Sequence, residues 1–272
     1  MTGKAFYQSG DGVRLCALVS EAEGAARGSV VLAHGITVDK DESSGSTGIG
    51  AFVQLDEALR AAGFNVLRFD YRGHGESGGR QEGMTIAGEL LDLEAALTHA
   101  RQRWGMPPAL VAASFGAVSA VLYAAGREDL PCLVLWNPVL DLVKTFLEPV
   151  CPRPRRSFNA GDAAFLERHG YLLLDSFRVG RRLLEEMREI RPYERMREIR
   201  CPVLTLHGDR DSYVPYDVAR DHAACNDQSE FAAVAGADHG FGRKEDRGVV
   251  IPKTVAWVKR FTPRAGTGQA GP

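Results

Sequence analysis

Three segments far apart in the chain carry side chains that together suit acyl-bond cleavage. Val111-Ala-Ala-Ser114-Phe-Gly116 lies where an apolar run gives way to a helical pattern, with small residues around the serine. A sharp strand-to-helix turn of that kind leaves no room for large side chains and lifts a hydroxyl clear of a sheet. Leu206-His-Gly-Asp-Arg-Asp211-Ser-Tyr-Val-Pro215 brings carboxylates after a later apolar run, and Ala235-Gly-Ala-Asp-His239-Gly-Phe241 brings an imidazole in a glycine-bounded loop. A hydroxyl becomes a nucleophile when an imidazole takes its proton, while a carboxylate fixes the imidazole tautomer and stabilises the imidazolium. Ser114, His239 and Asp211 are assigned those roles, and Asp209 is read as satisfying turn amides.

Charge that develops on a tetrahedral oxygen needs preorganised donors. The backbone N–H groups of Phe115, which follows the serine, and of Ile36, in Ala33-His34-Gly35-Ile36, form the expected pair. His34 is read as fastening its loop. Asp70-Tyr-Arg-Gly-His-Gly-Glu-Ser77 has two glycines for tight turns and two side chains to bond them, so His74 is a turn residue rather than a rival base. The polar, glycine-rich stretch 39–50 reads as solvated loop, with a mobile pocket rim as the alternative. Trp136 and Asn137, at the carboxyl end of their run, are expected to contact substrate. Arg153, Arg155 and Arg156 read as solvated surface, with an anionic substrate group as the alternative contact.

These residues need a scaffold, and the patterning supplies one. Lys4 to Gln8 and Val13 to Val19 flank the turn Ser9-Gly10-Asp11-Gly12 as a hairpin. Short apolar runs at 28–33, 65–70, 109–113, 132–137, 202–207 and 230–234 suit strands buried on both faces. Helical patterns fall between them at 52–62, 86–104 and 116–125, with a closing helix at 249–261. Strand and helix alternating in this way predict a mostly parallel sheet covered on both faces. The pattern breaks at 139–200, where Pro149, Pro152, Pro154 and Pro192 accompany helical stretches near 162–168 and 180–190. Residues 1–138 and 201–261 are therefore expected to form an α/β core domain and 139–200 an inserted helical lid. The tail 262–272 is too poor in apolar residues to offset the entropy of ordering and is expected to be disordered.

Composition narrows the class. At 272 residues, 44% of them hydrophobic and 25% charged, the chain has the make-up of a water-soluble globular protein. Its 33 basic and 35 acidic residues leave no excess positive charge for displacing counterions from phosphates, which excludes a nucleic-acid partner. The first residues hold no apolar run resembling a signal-peptide core, and no stretch is long and apolar enough to span a membrane, so a cytoplasmic location is expected. Five cysteines lack Cys-x-x-Cys spacing and read as reduced structural thiols; no metal site is expected.

The chain resembles the α/β-hydrolases of the feruloyl/cinnamoyl esterase-like group. The likeness runs over most of residues 4–261 and rests on His34-Gly35, Asp70 to Ser77, Met84-Thr-Ile-Ala-Gly88, Ser114, Asp211 and His239. The order serine, acid, histidine is the one those enzymes use, and Asp211 stands at their acid spacing before Val214-Pro215. The resemblance implies a mostly parallel sheet with helices on both faces and a lid between the sixth strand and the acid strand. It also implies no cofactor and a small-molecule ester or thioester as partner, with a homodimer left open. The chain departs from the pattern at Ala112-Ala113, where Gly-x is commoner, in the longer loop after Ile36, and in the arginines at 153–156. Cleavage through an acyl-serine is the leading reading. An acyltransferase, cyclase or lyase using the same three residues is the alternative, followed by a ligand-binding protein without catalysis.

Overall fold

The computed structural model describes residues 2–43 and 49–262. Strands β1 (Thr2–Gln8) and β2 (Arg14–Ser20) form the expected antiparallel hairpin, with Gln8 facing Arg14. There follow β3 (Gly28–Ala33), α1 (Ala51–Ala61), β4 (Phe64–Phe69), α2 (Ile86–Trp104), β5 (Ala109–Ala113), α3 (Gly116–Ala124) and β6 (Leu133–Trp136). The segment between the sixth and ninth strands carries α4 (Pro152–Ser157), α5 (Ala163–His169), β7 (Tyr171–Leu174), β8 (Phe177–Gly180), α6 (Arg181–Glu189) and α7 (Pro192–Arg195). Then come β9 (Val203–Gly208), α8 (Tyr216–His222), β10 (Glu230–Val234) and α9 (Lys244–Phe261).

Eight strands make one sheet in the order β1-β2-β4-β3-β5-β6-β9-β10, antiparallel only where β2 meets its two neighbours. The two-residue period of the central strands divides their side chains between two cores. Val31, Ala33, Leu110, Ala112, Leu133 and Leu135 pack under α2 and α3, whereas Val30, Leu32, Val111, Val134 and Trp136 pack under α1 and α9. A third core lies off the sheet. It joins Ile36 and Phe115 to Phe146, Phe158, Leu174, Phe177, Val179, Leu183 and Tyr213, so the inserted segment rests directly on the mouth of the sheet.

Two expectations need correction. The insertion is not purely helical: β7 and β8 pair as a hairpin, Tyr171 opposite Gly180, because alternate residues Leu172, Leu174, Phe177 and Val179 bury on one face. The closing helix begins at Lys244 rather than 249, where the Asp246 carboxylate accepts from the Arg243 backbone N–H and caps the first turn. Apart from Thr262, the tail expected to be disordered lies outside the described residues.

Candidate active site

Ser114 stands at the turn from β5 into α3 with φ of 51°, a left-handed conformation that costs a serine energy unless its surroundings impose it. They do so through three backbone bonds: the Ser114 N–H donates to the Trp136 carbonyl (2.9 Å), and its carbonyl accepts from Ala117 (3.2 Å) and Val139 (3.0 Å). Two glycines make the turn feasible. A Cβ at Gly116 would lie 2.4 Å from the His34 carbonyl oxygen, and one at Gly35 would lie 2.9 Å from Ser114 Cβ. Ala112 is accommodated where a glycine is commoner because its methyl faces the first core.

The other two segments converge on this hydroxyl. His239 Nε2 lies 3.0 Å from Ser114 Oγ, and His239 Nδ1 lies 2.9 Å from Asp211 Oδ2. The opposite oxygen of Asp211 accepts from the N–H groups of Tyr213 and Val214, both at 2.8 Å, so its loop orients it. Asp238 joins the two loops by accepting from the Ser212 N–H, the Ser212 hydroxyl and the His239 N–H at 2.7–2.8 Å. Asp209 accepts from the Gly236 N–H, in keeping with a turn role.

Charge is arranged to suit the imidazole. Burial alone would depress the His239 pKa, yet the neighbouring Asp211 carboxylate, helped by Glu42, raises it above the ordinary 6.5. Burial would likewise raise Asp211, but His239 and His207 hold its carboxyl well below the usual range. His34 and His74 differ. Burial lowers their pKa values to about 4 and about 3, so both rings stay neutral. His34 Nε2 accepts from the Tyr71 N–H, which fastens its loop as expected, and His74 Nδ1 lies 3.0 Å from the Arg72 carbonyl within its turn.

Ser114 and His239 open into a cavity of about 460 Å³ whose wall includes Ile36, Glu42, Arg153, Asp175, Tyr213 and Arg243. That volume suits a small molecule. Among the described residues, no hydrogen bond engages the N–H of Ile36 or of Phe115. Again among the described residues, no group of three or more His, Cys, Asp or Glu is gathered as a metal site would require.

Trp136 and Asn137 are not substrate contacts in this arrangement. Strand parity turns Trp136 into the second core, against Phe52 and Phe241, with its indole N–H on the Thr254 hydroxyl at 2.9 Å. Asn137 is buried with φ of 43° and accepts from the Gly208 N–H at 2.9 Å, tying the end of β6 to that of β9. Sequence reasoning missed His207, whose Nε2 lies 3.2 Å from Asp211 Oδ2, since a histidine inside an apolar run signals only a strand. Of the 39–50 stretch, favoured as solvated loop, Glu42 is buried and lines the cavity, and Arg153, exposed as expected of surface, lines it too.

Comparison with known proteins bears on the family and the fold. Residues 24–159 match a hydrolase family described as serine aminopeptidase, S33. No curated protein matches the chain significantly. Among solved structures, the ferulic acid-bound Est1E from Butyrivibrio proteoclasticus superposes with a TM-score of 0.77 at 20% identity, covering 94% of this chain and 98% of that one. The esterase domain of a Rhodothermus marinus protein gives 0.71 at 21% identity, covering 96% and 99%. The Pyrococcus furiosus esterase Pf2001 gives 0.72 at 20%, covering 96% and 92%.

Proposed function

We propose, on the premise that the chain belongs to the hydrolase family described as serine aminopeptidase, S33, that it cleaves a carboxylic ester or thioester through an acyl-Ser114 intermediate. Its fold is the α/β-hydrolase fold. The family description names one kind of acyl substrate; the residues around Ser114 carry the chemistry common to many.

The observation that supports the reading is the unbroken relay from Ser114 Oγ through the His239 ring to Asp211, at 3.0 and 2.9 Å. Asp211 keeps the proton on Nδ1, which leaves Nε2 as the base. As Ser114 Oγ attacks the acyl carbon, its proton passes to Nε2 and the carbonyl electron pair moves onto oxygen. The N–H groups of Ile36 and Phe115 receive that oxyanion. When the tetrahedral adduct collapses, Nε2 returns the proton to the departing alkoxide or thiolate. Water then repeats the cycle on the acyl-enzyme. Residues 139–200 act as the lid of this site, and residues 1–138 with 201–261 as its core domain.

Turnover of p-nitrophenyl butyrate tests the proposal. Ser114→Ala and His239→Ala should each lower kcat by three orders of magnitude or more, on the order of 10⁶ where the whole relay is lost. Undiminished turnover in both variants would exclude the mechanism.

A further inference from the structure

The loop after Ile36 delivers a carboxyl group to the cavity that the relay does not use. Glu42 is more than nine-tenths buried and lines the same cavity as Ser114 and His239. One of its carboxyl oxygens accepts from the Gly35 N–H at 2.9 Å. Gly35 in turn abuts the serine, and the next amide along the chain is that of Ile36. Anchoring the Gly35 N–H holds the His34–Gly35 peptide, the unit immediately before the one that carries the Ile36 amide. Glu42 itself has φ of 51°, which is strained for a residue with a long side chain. The loop holds it there: its N–H donates to the Asp39 carbonyl (2.9 Å) and its carbonyl accepts from the Ala51 N–H (3.0 Å). A buried, ionisable side chain held in a strained backbone at the edge of a reactive site is expensive, and a glutamine would make the same hydrogen bond without a charge to desolvate.

Resting on the hydrolytic reading above, we propose that Glu42 is a positioning residue of the site, holding the His34–Gly35 peptide, and through it the chain that leads into the Ile36 amide, beside Ser114, and coupled electrostatically to His239. The charged groups that face it are His239 from the loop before α9 and Arg247 from α9, both favouring its anion, and Asp39 from its own loop, which opposes it. Burial is the largest influence and pushes its pKa up to about 7. His239 is itself raised, chiefly by Asp211 and in part by Glu42, so the protonation of each group bears on that of the other. Their acid limb then belongs to the pair rather than to the imidazole alone. As pH rises, the anion forming on Glu42 favours imidazolium and delays the release of the base. Removing that charge therefore moves the limb to lower pH.

The test compares wild type, Glu42→Ala and Glu42→Gln with p-nitrophenyl butyrate across roughly pH 5 to 9. Glu42→Ala should lower kcat about tenfold or more with KM within about twofold, since a misaimed oxyanion donor acts on the transition state. Glu42→Gln should recover most of that loss, while its kcat/KM acid limb shifts to lower pH. Unchanged kcat in the alanine variant, or an unmoved limb in the glutamine variant, would overturn the proposal; should Glu42→Ala fail to fold, the glutamine profile decides alone. Labelling of Ser114 by a fluorophosphonate, a reaction that also develops an oxyanion, separates the two readings. A wild type that neither turns over the ester nor takes the label removes the hydrolytic reading and this inference together. A labelled wild type with an unmoved limb in Glu42→Gln removes this inference alone.

Discussion

Both oxygens of Asp211 are engaged, one by the Tyr213 and Val214 amides and the other by His239 Nδ1, and this division sets what a substitution would do. An asparagine that keeps its carbonyl oxygen on the two amides turns its NH₂ toward His239 and imposes the wrong tautomer. Asp211→Asn should therefore lower kcat by about 10³- to 10⁴-fold with the fold intact, measurable by ester turnover alongside circular dichroism. The same carboxylate raises the His239 pKa, and only the neutral ring is a base. In wild type, kcat/KM should fall on acidification through a value above 6.5, and the residual activity of the asparagine variant should fall at lower pH. Ser114, Asp211 and His239 were legible in the sequence because each sits in a short loop after an apolar run, where few side-chain arrangements are open. Glu42 was not, since a stretch rich in glycine and serine reads as solvent-facing on average and one buried carboxyl does not alter that average.

Among the elements, the helix α4 links the insertion to the acid loop. The Arg153 N–H at its start donates to the Ser212 carbonyl at 3.0 Å, and the Arg153 guanidinium lies 5.5 Å from the centre of the Tyr213 ring. That ring stacks on His239 with 5.2 Å between centres. Arg153 lines the cavity, where its guanidinium is placed to meet an anionic group at the far end of a substrate. Arg153→Ala should raise KM for a carboxylate-bearing ester by up to roughly fivefold relative to a neutral ester of equal size, an exposed ion pair being worth about 1 kcal/mol or less. An equal change for both esters would deny it that role. The buried strands were readable as unbroken apolar runs. The hairpin of β7 and β8 was not, because Tyr171-Leu-Leu-Leu174 is too short for its period to separate strand from helix. Trp136 was misjudged for a related reason: being last in a strand fixes height along the sheet, but parity decides which face the side chain takes.

Across the whole molecule, the helices that cover the sheet bury ionisable groups as well as hydrocarbon. Glu89 on α2 is 1% exposed, and one of its carboxyl oxygens has no hydrogen-bond partner among the described residues. Burial, reinforced by Asp92, holds its pKa well above 4.5. The folded chain thus keeps this proton at pH values where the unfolded chain has released it, so the group's contribution to stability declines as pH rises above 4.5 toward the shifted value. Glu89→Gln removes that dependence. The variant's Tm should exceed that of wild type by more at pH 8 than at pH 5, about 2–4 °C for each kcal/mol in domains of comparable size. A difference independent of pH would show the carboxyl to be ionised in the native state. No helix among the described residues is long and apolar enough to cross a membrane.

Ile36 lines the cavity, and the side chains of Ile36 and Phe115, the two proposed oxyanion donors, are embedded in the third core beneath the inserted segment. In the proposed mechanism, recognition and rate enhancement therefore share one mechanical foundation. Grafting a foreign cap onto this scaffold would retune selectivity only if the graft refilled the volume around those two side chains. A shorter graft would loosen both donors at once, and the chimera would lose speed on every substrate before it gained preference for any.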